Sequence, residues 1–163
     1  MRAVAPLPLA GLYGGKTKRR QAVRTPRWFL EAVCKAFGLA QIPLDPSAYP
    51  FPRYHFAGEN WMSKGLHRPW NKPAYTNPPW AKLGDWMTYA WNEQRRTRLP
   101  LVLLGPWRSH RLTFLPALRG GEVSFFRAFP FEGEKDSTPW ACFAVAFNCH
   151  LPEMPYELER RQW

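Results

Sequence analysis

Two consecutive prolines, Pro78 and Pro79, stand between a short apolar segment (Ala74, Tyr75) and a longer stripe of apolar residues at helical spacing. No regular element runs through such a pair. Each proline holds φ near about −65° and brings no backbone N–H, so the preceding segment must end there. The carbonyls at this corner must find donors outside any ladder. Asn77 precedes the prolines and Trp80 follows them. If Thr76-Asn77-Pro78-Pro79-Trp80 sits at a strand end, the Asn77 side-chain carbonyl and the Pro78 main-chain carbonyl can converge on one exocyclic amino group. The Trp80 ring would stack on the heterocycle that carries it. This is the equipment for holding a flipped-out base. The plain alternative is a proline-rich turn with a core tryptophan.

The segments around the corner read as alternating helices and strands. Thr25-Pro26 has the form of a helix start, a capping hydroxyl and then a proline at the first helical position. Phe29, Leu30, Val33, Cys34 and Phe37 recur at helical spacing and Gly38 supplies a stop, predicting a helix over about 26–37. Ile42 to Leu44 reads as a short buried strand that delivers Asp45 at its carboxyl end, where open α/β sheets place their ligands. Asp45 is therefore a candidate contact for a cofactor amine or hydroxyl, or else belongs to a simple Asp-Pro turn. From Tyr49 to Asn71 the chain is irregular, with one short strand expected near Arg53 to Phe56, and with Glu59 and Asn60 as groups to reach a ribose.

Beyond the corner, Leu83, Trp86, Met87, Ala90 and Trp91 mark a core-facing helix over about 82–97. Leu99 to Leu104 reads as a buried parallel strand. Its exit carries Arg108 and Arg111, which are either phosphate contacts or surface charge. Phe114 to Leu118 reads as helical. Val123 to Phe126 and Ala141 to Phe147 read as antiparallel strands at the sheet edge. Residues 151–163 form a charged C-terminal tail, of which Glu157 to Trp163 reads as helical.

Charge points to a polyanionic partner. Lys and Arg number 23 against 12 Asp and Glu, a net charge of +11, which favours nucleic acid over a membrane surface. Residues 1–24 hold Arg2, Lys16, Lys18, Arg19, Arg20 and Arg24 with no acid. They read as a flexible basic arm along phosphates or as a solvated tail. Cys34, Cys142 and Cys149 form no Cys-x-x-Cys, and the histidines lack ligand spacing, so reduced thiols in the cytoplasm are expected and no metal site. No apolar run spans a bilayer.

Three landmarks in one order, Thr25-Pro26, Leu44-Asp45-Pro46-Ser47-Ala48 and Thr76-Asn77-Pro78-Pro79-Trp80, followed by Leu103-Leu104-Gly105-Pro106, resemble the phage-type (Dam-like) DNA N6-adenine methyltransferases from about Arg24 to Phe147. The resemblance implies an α/β fold, a reduced Rossmann-like methyltransferase sheet over 25–150 with helices on both faces and an antiparallel edge strand. It implies methyl transfer from S-adenosylmethionine to the adenine amino group of DNA, in a bacterial host cytoplasm. Asn77, Pro78, Pro79 and Trp80 would be catalytic. Thr25, Pro26, Asp45, Ser47 and Glu59 would face the cofactor, and Lys16, Lys18, Arg19, Arg20, Arg24, Arg108 and Arg111 the DNA. A monomer is expected. The chain departs from the family in three places: Ala48-Tyr49-Pro50-Phe51 replaces a glycine-rich loop, Lys64 stands where an acid precedes Gly65-Leu66, and Trp80 replaces a commoner Tyr or Phe. A non-catalytic nucleic-acid-binding protein on a degenerate methyltransferase fold is the alternative. A structural or assembly protein is a further one.

Overall fold

The computed structural model describes residues 25–48, 55–107, 120–132 and 141–162. The first helix, α1 (Arg27–Phe37), buries Phe29, Ala32 and Val33, an i, i+3, i+4 set on one face. It ends at Gly38, whose φ of 66° lets the Gly38 N–H reach the Lys35 carbonyl and the Leu39 N–H reach that of Cys34. Its start differs from the sequence expectation. Pro26 is the flanking residue, no side chain caps the helix, and the Thr25 hydroxyl is used elsewhere.

Among the described residues seven strands form one sheet: β1 (Leu44–Asp45), β2 (Glu59–Asn60), β3 (Ala74–Thr76), β4 (Leu101–Pro106), β5 (Glu122–Phe126), β6 (Cys142–Phe147) and β7 (Glu157–Gln162). Their spatial order is β2-β1-β3-β4-β6-β5-β7. The first four are mutually parallel, and β6, β5 and β7 continue the sheet antiparallel. A 3₁₀ turn, Trp80–Lys82, leads from the proline corner into α2 (Leu83–Thr97).

Side-chain alternation along the strands divides the core into two layers. Tyr75, Val102, Leu104, Ala144 and Ala146 pack with α1, joined by Phe126, Phe129 and Phe131. Ala74, Leu101, Leu103, Phe143, Val145 and Phe147 pack with Leu83, Met87 and Ala90 of α2. Among the described residues one helix therefore packs on each face, as expected of an α/β sheet. β4 and β6 are buried at all six positions, which explains their near-continuous apolar sequence.

Three expectations are corrected. The strand in the irregular segment lies at Glu59–Asn60, whereas His55 and Phe56 are not in one. β6 lies inside the sheet, between β4 and β5. The tail is not helical: Glu157–Gln162 is an edge strand, paired with β5. The predicted helix over 114–118 lies outside the described residues. No described helix is long and apolar enough to cross a membrane.

Candidate functional site

Strand order creates the site. β2 lies on one side of β1 and β3 on the other, so the chain reverses its direction across the sheet between β1 and β3. At such a switch point the connections leave in opposite directions, and a crevice opens outside the carboxyl ends of the two strands. The residues that emerge there are Asp45, Pro46 and Ser47 from β1, and Thr76, Asn77 and Pro78 from β3.

Polar side chains tie these ends together. The Thr76 hydroxyl donates to the Ser47 hydroxyl (2.6 Å), which donates to Asp45 Oδ1 (3.1 Å), and the Ser47 backbone N–H donates to the same oxygen (2.9 Å). Asp45 is 6% exposed. Burial pushes its pKa up to about 7, against the opposing pull of the two Ser47 hydrogen bonds and the charge of His55. The carboxyl thus sits at the balance between its two protonation states at neutral pH.

A second cluster holds Asn77. The Trp80 indole N–H donates to Asn77 Oδ1 (3.2 Å), and Asn77 Nδ2 donates to Thr25 Oγ1 (3.5 Å). Because an indole nitrogen can only donate, the amide oxygen must face Trp80 and the amide orientation is set. The Thr25 and Tyr75 hydroxyls are 2.9 Å apart, and Tyr75 is fully buried, which pushes its phenol pKa well up. Thr25, two residues before α1, is thereby pinned to the end of β3. Asn77 and Pro79 are half-buried, so the corner is not sealed in the interior. Trp80 is different. At 6% exposed and 6.1 Å from the Phe131 ring, it belongs to the α1-side core. The expected open stacking face is corrected to a buried ring that orients Asn77.

Thr25, Pro26, Asp45, Ser47 and the residues from Asn77 to Trp80 therefore gather at one end of the sheet, with Pro26 buried where α1 begins. Glu59 does not join them. It pairs in register with Leu44, whose side chain faces the α2 layer, so alternation places Glu59 on the face opposite Asp45. There its carboxylate accepts from Lys72 Nζ and from the Trp61 indole N–H (3.3 Å), and the Lys72 bond leads the causes that lower its pKa. This pair borders an open pocket of about 310 Å³ with Leu44, Arg68 and Asn71. Lys16, Lys18, Arg19, Arg20, Arg24, Arg108 and Arg111 lie outside the described residues.

Sequence reasoning missed Thr76, whose hydroxyl joins the Asp45 cluster, Tyr75, whose hydroxyl joins the Asn77 cluster, and the part played by Gly65. A Cβ at Gly65 would lie 2.0 Å from the Pro46 carbonyl oxygen and 2.6 Å from the Trp86 ring. Only glycine lets the segment after β2 lie directly against the loop after β1. The Trp70 indole fixes that approach by donating to the Gly65 carbonyl (2.8 Å). Among the described residues no cluster of three His, Cys, Asp or Glu is placed to hold a metal.

Compared with protein-family models and with curated proteins, the chain matches none. The functional reading therefore rests on the geometry.

Proposed function

We propose that the protein transfers a methyl group from S-adenosylmethionine to the N6 amino group of adenine in DNA, on a reduced Rossmann-like methyltransferase sheet. The observation that carries this reading is the meeting of Asn77 and Asp45 at the topological switch point, each held by its own hydrogen-bond cluster. The net charge of +11 supports DNA as the partner.

The donor set suits the cofactor. S-adenosylmethionine, when bound, supplies an electrophilic methyl group on a positively charged sulfur. Thr25, Asp45 and Ser47 would hold it, and a carboxyl poised between protonation states accommodates a cation by releasing its own proton. Asn77 acts on the base. Its Oδ1 already accepts from Trp80, and a carbonyl oxygen has a second lone pair for an adenine amino hydrogen. The Pro79 carbonyl accepts from the Lys82 N–H within the 3₁₀ turn (3.0 Å), and the Pro78 carbonyl, next to Asn77 in the chain, is the acceptor we assign to the other amino hydrogen. Two acceptors in a fixed frame draw the amino protons into the plane of their carbonyls and ready the nitrogen lone pair for attack. The nitrogen would gain the methyl group as its bond to sulfur breaks, leaving a neutral thioether, and would release one proton to solvent water.

Glu59 is a weaker candidate for the cofactor because the structure turns it to the other face and pairs it with Lys72. The burial of Trp80 favours the second reading, a nucleic-acid-binding protein without catalysis. One experiment separates the two. Unmethylated DNA is incubated with the protein and methyl-labelled S-adenosylmethionine, then digested to nucleosides. Label in N6-methyl-2′-deoxyadenosine is expected, falling by about 100-fold or more in Asn77→Ala. Asn77→Asp keeps an acceptor for Trp80 and retains measurable transfer. Wild-type protein that binds DNA and transfers no label leaves the binding reading alone standing.

A further inference from the structure

Strand β7 closes the antiparallel end of the sheet, and among the described residues no strand pairs with its outer side. Edge strands usually carry charge to keep other chains away. Here the order of the charges does the reverse. Along Glu157–Gln162 the acids come first and the bases follow, so the strand is complementary to itself when turned end for end.

The register follows from two-fold symmetry. An axis normal to the sheet keeps each residue on the same face in both copies, so residues of matching parity must stand opposite each other. With the axis at Arg160, Glu159 of one copy faces Arg161 of the other, and Arg161 faces Glu159, giving two reciprocal ion pairs on one face. In the single chain these two residues pair with each other (2.7 Å) and are about half exposed, at 50% and 54% of their side chains. They are available for exchange. On the opposite face the two Arg160 side chains would meet at the axis, but each is already turned back into its own subunit. Arg160 bonds Glu157 (2.8 Å), Glu122 (3.2 Å), the Leu151 carbonyl and the Pro152 carbonyl (2.8 Å). Leu158 is the extra residue of a bulge between Glu157 and Glu159, so the regular ladder that a second copy would continue runs from Glu159 to Gln162.

We propose that the β7 edge is the dimerisation surface of this protein, two copies joining through antiparallel β7 strands centred on Arg160 into one continuous sheet. This replaces the monomer expected from sequence and is independent of the activity proposed above.

Sedimentation equilibrium of the full chain near about 0.15 M salt, over roughly 1–100 µM, tests it. Twice the chain mass is expected for the wild type. Glu159→Arg alone and Arg161→Glu alone place like charges opposite each other at both positions, and each weakens self-association by about 10-fold or more. Mixing the two single variants restores the dimer as a heterodimer, because one copy then carries only bases and the other only acids at these positions. Circular dichroism of each variant establishes that the strand is intact. A wild type that stays monomeric at the highest concentration overturns the proposal. So do single variants that dimerise as well as the wild type, or a mixture that fails to associate when both variants are folded.

Discussion

The two halves of the sheet are built in opposite ways. In the parallel half, β1 and β2 are two residues long and β3 three, and their carboxyl ends are joined by hydroxyl and amide side chains. In the antiparallel half, β5 and β6 run five and six residues, and β6 is buried throughout between β4 and β5. Apolar ladders of this kind supply most of the folding free energy because each buried side chain removes its surface from water. Short parallel strands supply little, yet they deliver polar groups to the carboxyl end of the sheet. The long half thus holds the short half in place, and the polar clusters cost less because their frame is already rigid.

This contrast is broken first in the ladder. Phe143 is fully buried against Gly105, Trp107 and the α2 layer. Phe143→Ala should cost about 3–5 kcal/mol in urea unfolding, the range for an emptied aromatic core site. If the loss were under about 1 kcal/mol, the antiparallel half would not be the stabilising one.

Asp45 probes the other half through pH. Its folded-state pKa of about 7 lies above the ordinary value of 3.8, so the native protein holds a proton that the unfolded chain has released. The contribution is intact below pH 3.8, is lost progressively as pH rises toward 7, and stays lost above that. The ceiling on this loss is about 4 kcal/mol. Asp45→Asn keeps an acceptor for Ser47 and removes the titration. Urea unfolding at pH 5 and pH 8 should therefore show a smaller difference for the variant than for the wild type. An equal difference would mean that Asp45 is not the buried acid.

Gly65→Ala comes next. The added methyl group meets a backbone oxygen rather than a flexible side chain, so the segment must shift, at about 1–3 kcal/mol. Calorimetric titration with S-adenosylmethionine should show weakened binding, since the loop carrying Ser47 moves with Pro46. Unchanged affinity would detach Gly65 from the site.

Much of this architecture was legible in the residues. Both helices follow from apolar spacing, and β4, β5 and β6 from runs of apolar or β-forming residues whose length alone distinguishes strand from helix. Asn77 and Asp45 were legible because a double proline and an Asp-Pro each end a strand in a way the local chain dictates. What local chemistry does not carry was missed. β7, reading Glu-Leu-Glu-Arg-Arg-Gln, has helical composition and becomes a strand only because β5 offers an open edge. Glu59 was misplaced because facing depends on a register of one residue, which flips every side chain. Trp80 follows the prolines as a stacking residue would, yet the 3₁₀ turn at Trp80–Lys82 rolls it into the core. Thr25 looked like a helix cap, but its hydroxyl is the partner that the fully buried Tyr75 phenol needs.

That last competition gives the mildest test and the sharpest one for how the halves are coupled. Thr25→Val keeps the shape and removes the hydroxyl shared by Tyr75 and Asn77. A buried phenol left without its partner costs about 1 kcal/mol or somewhat more, and the ladder of β4, β5 and β6 is untouched. Thr25→Ser restores the hydroxyl and should recover that stability. Methyl transfer should fall further than stability does, because Asn77 loses the acceptor that holds its amide nitrogen while the rest of the fold stands. The measurement is labelled transfer beside urea unfolding for both variants. If activity and stability fall together in Thr25→Val and both return in Thr25→Ser, Thr25 acts only as a strut between α1 and β3. If activity falls alone, its hydroxyl orients Asn77.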